Sequence, residues 1–134
     1  MSISLEVGKP AGSAEASGAL AKGVFVTRAN TGTQVGAAAA QNWAIGVTAN
    51  SAAAQGDTVL LYLPGQYAKV QCSSVIAAGA STGGIPLGVD ANGKARSAVA
   101  GDRVMALYQP RKGEACAAGD IISVLLLSGE TVHS

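Results

Sequence analysis

The sequence predicts an all-β domain, a compact barrel or sandwich with at most one short helix. Two observations predict it. About eight short runs rich in Val, Ile, Leu, Thr and Tyr recur along the chain, separated by turn residues, as in small sandwiches and barrels. One turn phrase also recurs. Ala54-Gln55-Gly56-Asp57, Ala100-Gly101-Asp102 and Ala118-Gly119-Asp120 each place Gly-Asp directly before an apolar run. Glycine supplies a positive φ, and the Asp carboxylate accepts a neighbouring backbone N–H while its charge keeps the turn solvated. The copies lie 45 and 18 residues apart, so they are a repeated turn and not a solenoid period.

The elements follow in order. Ile3, Leu5 and Val7 alternate with polar residues as a strand does, but a lone strand needs a sheet to join. Lys9-Pro10 and the Gly-, Ala- and Ser-rich stretch to Gly18 carry almost no large apolar residue. This composition predicts an arm over residues 1–22 and a compact β domain over 23–134. Strands are expected at Val24–Thr27, Trp43–Thr48 and Asp57–Leu63, the last ending at Pro64-Gly65. Gln66–Cys72 alternates and forms the next. Asn92-Gly93 is a strong hairpin signal joining Ile85–Asp90 to Lys94–Ala98. Arg103–Tyr108 and Ile121–Leu127 complete the set. Ala37–Ala40 and Ala52–Ala54 are bracketed by Gly or Asn and read as loops, whereas Ser73–Ala78 is the one short helix expected.

Asp57–Leu63 and Ile121–Leu127 are apolar on both faces. A half-exposed strand alternates, so these two need cover on both sides, from a subunit interface or from loops packed tightly outside a barrel.

Composition excludes several function classes. The chain has 134 residues, enough for one domain with a core but not for a large α/β enzyme. Its net charge is +1, its basic residues are scattered apart from Arg111-Lys112, and aromatics are 4%, which argues against a nucleic-acid surface. The N-terminus does not read as a signal peptide, and Ile121–Leu127 falls far short of a helical membrane span of about 20 residues. Cys72 and Cys116 can pair or stay as free buried thiols; no CxxC is present.

Chemical motifs are weak. Gly79-Ala80-Ser81-Thr82-Gly83 matches a nucleophile elbow, and His133 follows it, but the βα alternation that positions such a serine is missing. Asp57, Asp102 and Asp120 are explained by turn capping, and one His with two distant Cys builds no zinc site without carboxylates. Gly84–Gly88 lacks the Lys of a phosphate loop. Trp43 is expected to anchor the core. The sequence thus predicts no catalytic residue, no metal and no cofactor.

The ordered phrases carry a resemblance. They run Ala19-Leu20-Ala21-Lys22-Gly23-Val24, Ala44-Ile45-Gly46-Val47-Thr48, Ala52-Ala53-Ala54-Gln55-Gly56-Asp57-Thr58-Val59, Leu63-Pro64-Gly65 and Val75-Ile76-Ala77-Ala78-Gly79. They close with Asp90-Ala91-Asn92-Gly93-Lys94-Ala95, Gly101-Asp102-Arg103-Val104 and Ala117-Ala118-Gly119-Asp120-Ile121. Over residues 19–127 the chain resembles the capsid decoration, or cement, proteins of tailed phages. It departs after Gly79, where Ala80–Pro86 stands in place of another Gly-Asp. The resemblance implies a β-tulip-like fold and a non-enzymatic role. It implies synthesis in the host cytoplasm and a place on the outer capsid surface. The implied partners are the major capsid protein and further copies of the chain, a trimer before a dimer, with no nucleic acid or membrane. In this reading Ile3, Leu5, Val7, Lys9 and Pro10 of the arm contact the capsid, the first three by adding a strand to an exposed sheet edge. Gly56, Asp57, Asn92, Gly93, Gly101, Asp102, Gly119 and Asp120 form turns. Deleting residues 2–18 is expected to spare the fold and abolish shell binding. Rival readings are a small β module for a carbohydrate or receptor, a hydrolase using Ser81 and His133, and a tail or fibre component.

Overall fold

The computed structural model describes residues 9–29, 34–40, 43–76, 84–108 and 116–133, and among these it holds ten strands and no helix. The first five strands are β1 (Gly12–Ala16), β2 (Phe25–Arg28), β3 (Gln34–Ala37), β4 (Gly46–Thr48) and β5 (Thr58–Tyr62). They close into a barrel in the order β1-β3-β2-β4-β5, with β5 returning to β1. The next five are β6 (Tyr67–Gln71), β7 (Ile85–Val89), β8 (Ala95–Ser97), β9 (Ala106–Tyr108) and β10 (Ile121–Leu126), in a sheet of order β6-β10-β9-β7-β8. The β1–β3 pair is parallel and the other strand pairs are antiparallel. A parallel bridge from Cys72 to Ala95 draws the two edges of the second sheet together, so it curls into a half-barrel.

Side-chain alternation assigns the faces. In β5, Val59 and Leu61 point into the barrel, while Thr58 and Leu60 point out. In β10, Ile122, Val124 and Leu126 are buried and Ile121 is exposed. The core therefore has two parts. Ala16, Val24, Val26, Val35, Val59 and Leu61 fill the barrel. Phe25 and Val47, on the barrel's outer face, pack with Leu87, Val89, Val124 and Leu126 of the second sheet. The continuous apolar run Val24-Phe25-Val26 follows from this arrangement, because β2 is a wall shared by both cores.

Two glycines fasten the barrel to the sheet. The Phe25 N–H donates to the Gly93 carbonyl at 2.7 Å, docking the tip of the β7–β8 hairpin on β2. The Gln71 N–H donates to the Gly23 carbonyl at 2.8 Å, joining the end of β6 to the entry of β2. Both glycines have positive φ, and a β-carbon at Gly93 would stand 2.8 Å from the Phe25 carbonyl oxygen.

The Gly-Asp phrase forms the same turn three times. Each Asp N–H donates to the carbonyl three residues earlier (Ala54, Val99, Ala117), and each Gly in between has φ near +90° (+89, +91 and +87). That is the requirement of a type II turn. Each carboxylate also accepts the N–H of that same earlier residue: Asp57 from Ala54, Asp102 from Val99, Asp120 from Ala117. Asn92 and Gly93 close the β7–β8 hairpin within a longer loop, in which the Asp90 carboxylate accepts the Asn92 and Lys94 N–H groups, each at 2.8 Å.

Several expectations need correction. Within the stretch read as an arm, Gly12–Ala16 is a barrel strand and Leu20 bridges Ala52, because small residues suit a crowded barrel seam. Deleting residues 2–18 would remove β1 and open the barrel. Ser73–Ile76 bends and bridges to Cys116 and does not form a helix turn; the remainder of that segment lies outside the described residues. Strand β9 starts at Ala106, since Arg103 bridges Val132 instead of continuing the ladder. Gln34–Ala37 is a strand that the Ala- and Gly-rich sequence concealed. Asp57 and Asp120 are exposed as expected, but Asp102 is fully buried.

Candidate interaction surface

Two surface features carry distinctive chemistry. The first is the exit of the N-terminal segment. Gln66, just past the Pro64-Gly65 turn, clamps it with one side-chain amide. Its Nε2–H donates to the Lys9 carbonyl at 2.9 Å, and its Oε1 accepts the Ala11 N–H at 3.2 Å and the Leu63 N–H at 3.0 Å. Lys9 is exposed and Pro10 half-buried at this point. Ile3, Leu5 and Val7 lie outside the described residues. The body thus fixes the chain from Lys9 onward, so any free arm is confined to residues before it.

The second feature centres on Trp43, which is 52% exposed and so does not anchor the core. Its indole Nε1–H donates to the Ser128 carbonyl at 2.6 Å. The Arg103 guanidinium lies over the ring, 4.5 Å from its centroid, and Nη1–H donates to the Gly129 carbonyl at 3.0 Å. A cation over an indole face is favourable and orients both groups. Gly129 is needed here: its φ is +77°, and a β-carbon would meet the Met105 sulfur at 2.5 Å. Ile45 and Val132, both exposed, are the next residue but one after Trp43 and the bridge partner of Arg103. The result is an indole held by both halves of the fold, with an apolar and cationic border. Arg103 lies sixty residues from Trp43 in sequence, so no local pattern could reveal the pair.

The remaining candidates are dispersed. Gly56-Asp57, Gly101-Asp102 and Gly119-Asp120 serve their own turns and do not converge. Asp102 receives the Arg96 guanidinium as a fork, Nη2 to Oδ1 at 2.9 Å and Nε to Oδ2 at 3.2 Å. The Asp102 hydrogen bond raises the Arg96 pKa above its ordinary value. Ser81 and its glycines lie outside the described residues. His133 is fixed by its backbone, its N–H donating to the Asp102 carbonyl at 2.7 Å. Among the described residues no three His, Cys, Asp or Glu side chains gather as metal ligands. A gap of about 10 Å³ between Phe25, Ala44, Met105 and Leu126 has room for about one water. A surface depression of about 280 Å³ is bordered by Lys22, Gly23, Lys69 and Ile121.

The geometry defines an all-β protein with a closed barrel joined to a half-barrel. No protein-family model matches the sequence, and no curated protein does. The fold is similar to that of the N base of the head fiber gp8.5 in bacteriophage phi29, with a TM-score of 0.63 and 16% identity over 90% of this chain and 96% of that one. At this identity the likeness is one of fold.

Proposed function

We propose that this chain is a structural, non-enzymatic virion protein attached to the head of a tailed phage. The observation that supports this best is the near end-to-end fold likeness to the base of a phage head fibre. The ordered phrases of the sequence point to the same setting independently. In the finer reading, the body sits on the outer capsid surface, and the segment before Lys9 reaches onto the major capsid protein. Exposed Leu60 and Ile121, the outward residues of two strands apolar on both faces, meet further copies of the chain in a trimer. Several arms engaged together hold far more tightly than one, by effective concentration. Bridging neighbouring capsomers then opposes the outward pressure of packaged DNA. The test is addition of purified chain to heads that lack it: saturable binding and higher heat resistance of the heads are expected. Heads that neither bind it nor gain resistance would overturn the cementing role.

A second reading is favoured by Trp43. An exposed, braced indole beside Arg103 suits recognition of a carbohydrate or receptor by a head-borne module. Titration with glycans, read by the fluorescence of this sole tryptophan, separates the two: a saturable change supports recognition.

A further inference from the structure

The sulfurs of Cys72 and Cys116 lie 3.0 Å apart, both unbonded to other cysteines and both buried in the larger core. The backbone holds each in place. Cys72 donates its N–H to the Asp120 carbonyl and accepts the Gly119 N–H, each at 2.9 Å. Cys116 exchanges two hydrogen bonds with Ile76, at 3.0 and 3.2 Å. Two thiols are thus presented to each other by ladders from two separate segments, 44 residues apart in sequence. A disulfide needs the sulfurs about 2.05 Å apart, so closure asks for roughly 1 Å of approach.

We propose that Cys72 and Cys116 are a latent cross-link, converted to an intramolecular disulfide by a disulfide oxidant of the glutathione type without refolding of the chain. The step is thiol–disulfide exchange. One of the two thiols gives its proton to water, and its thiolate attacks one sulfur of glutathione disulfide. The S–S bond of the oxidant breaks, and one glutathione leaves and is protonated. The sulfur of the second cysteine then attacks the first cysteine's sulfur in the mixed disulfide, and its proton passes to the second departing glutathione. Two protein thiols are oxidised and one glutathione disulfide is reduced to two glutathiones. Burial pushes the Cys72 thiol up to about 12, helped by the adjacent Cys116 thiol and the Asp120 charge, so little of its thiolate forms at neutral pH and exchange is favoured by alkali. Exchange waits on local opening, which makes it slow. A chain passing from reducing cytosol to oxidising surroundings would gain the bond after folding.

The test uses the full chain, folded under reducing conditions and then exposed to glutathione disulfide at mildly alkaline pH. Intact mass after denaturing alkylation counts the remaining thiols, and peptide mapping locates the bond. The expected product is a monomeric chain with no alkylatable thiol, a Cys72–Cys116 peptide and a Tm higher by roughly 10 °C. Cys72→Ala and Cys116→Ala should show no rise with oxidant. Two thiols still alkylated after prolonged exposure would overturn the proposal. So would a product of only mixed disulfides or cross-linked dimers, or a Tm that does not rise.

Discussion

The Asp102 carboxylate occupies the space that a side chain at Gly88 would fill. Gly88 on β7 pairs with Arg96 on β8, and Arg96 reaches back to fork onto that same carboxylate. The glycine, the acid and the base are therefore one unit, with the Asp102 side chain 0% exposed and the Arg96 side chain 27%. Replacing Asp102 with Ala strands a half-buried guanidinium and unties the Val99 turn. The expected loss is about 3 kcal/mol, read as a shift in the urea midpoint.

Gly88→Ala tests the same unit from the other side. Its methyl group must displace the carboxylate, so a loss of about 2 kcal/mol is expected. Once Asp102 is already Ala, the methyl has room. The double variant should fall short of the sum of the two single losses by about 1 kcal/mol or more.

Gly93→Ala strikes the seam between barrel and half-barrel. The φ of +78° disfavours any L side chain, and the β-carbon would crowd the Phe25 carbonyl oxygen. A loss of about 2 kcal/mol is expected. Gly56→Ala, which has a similar φ of +89° and open space around it, should cost about 1 kcal/mol, from the backbone alone. Thermal unfolding of the two variants gives the comparison.

The reduced chain should lose stability in alkali. The Cys72 thiol, ordinarily near 9, is pushed up to about 12 in the fold. Between those values the unfolded chain has released the proton and the folded chain keeps it, so unfolding gains with each step up in pH. The contribution is complete below about pH 9 and fades as pH rises towards 12, with a slope of up to about 1.4 kcal/mol per pH unit. Cys116 and Asp120 are the groups that face this thiol. Urea midpoints at pH 8 and pH 10 should diverge more in the wild-type chain than in Cys72→Ala.

Two truncations separate the segment before Lys9 from the barrel. Deleting residues 2–8 leaves the Gln66 clamp on Lys9 and Ala11 intact, and the far-UV circular dichroism and Tm should be nearly unchanged. Deleting residues 2–18 removes β1, and with it Ala16 from the barrel core, so cooperative unfolding should be lost. On the proposed function, the shorter deletion already abolishes attachment to heads.

Much of the fold was legible because it rests on local chemistry. The Gly-Asp phrase announces its turns, since a positive φ and a short carboxylate act within four residues. Period-two alternation marks β6, and dense runs of Val, Leu and Ile mark β5 and β10. What escaped depends on distant partners. β1 and β3 consist of Gly, Ala, Ser, Glu, Gln and a single Val, and only the barrel seam makes them strands. Asp102 carries the same phrase as Asp57, yet Arg96 and Gly88 allow it to be buried. Trp43 looked like core because Trp buries so much area, but Arg103 and Ser128 hold it at the surface.

The most direct test of the proposed virion role is the copy number of this chain in purified particles of the phage which that role implies, by quantitative peptide mass spectrometry against the main shell protein. An abundance comparable to that of the shell protein is expected, released when intact heads are treated mildly with denaturant. Absence from the particles would contradict it.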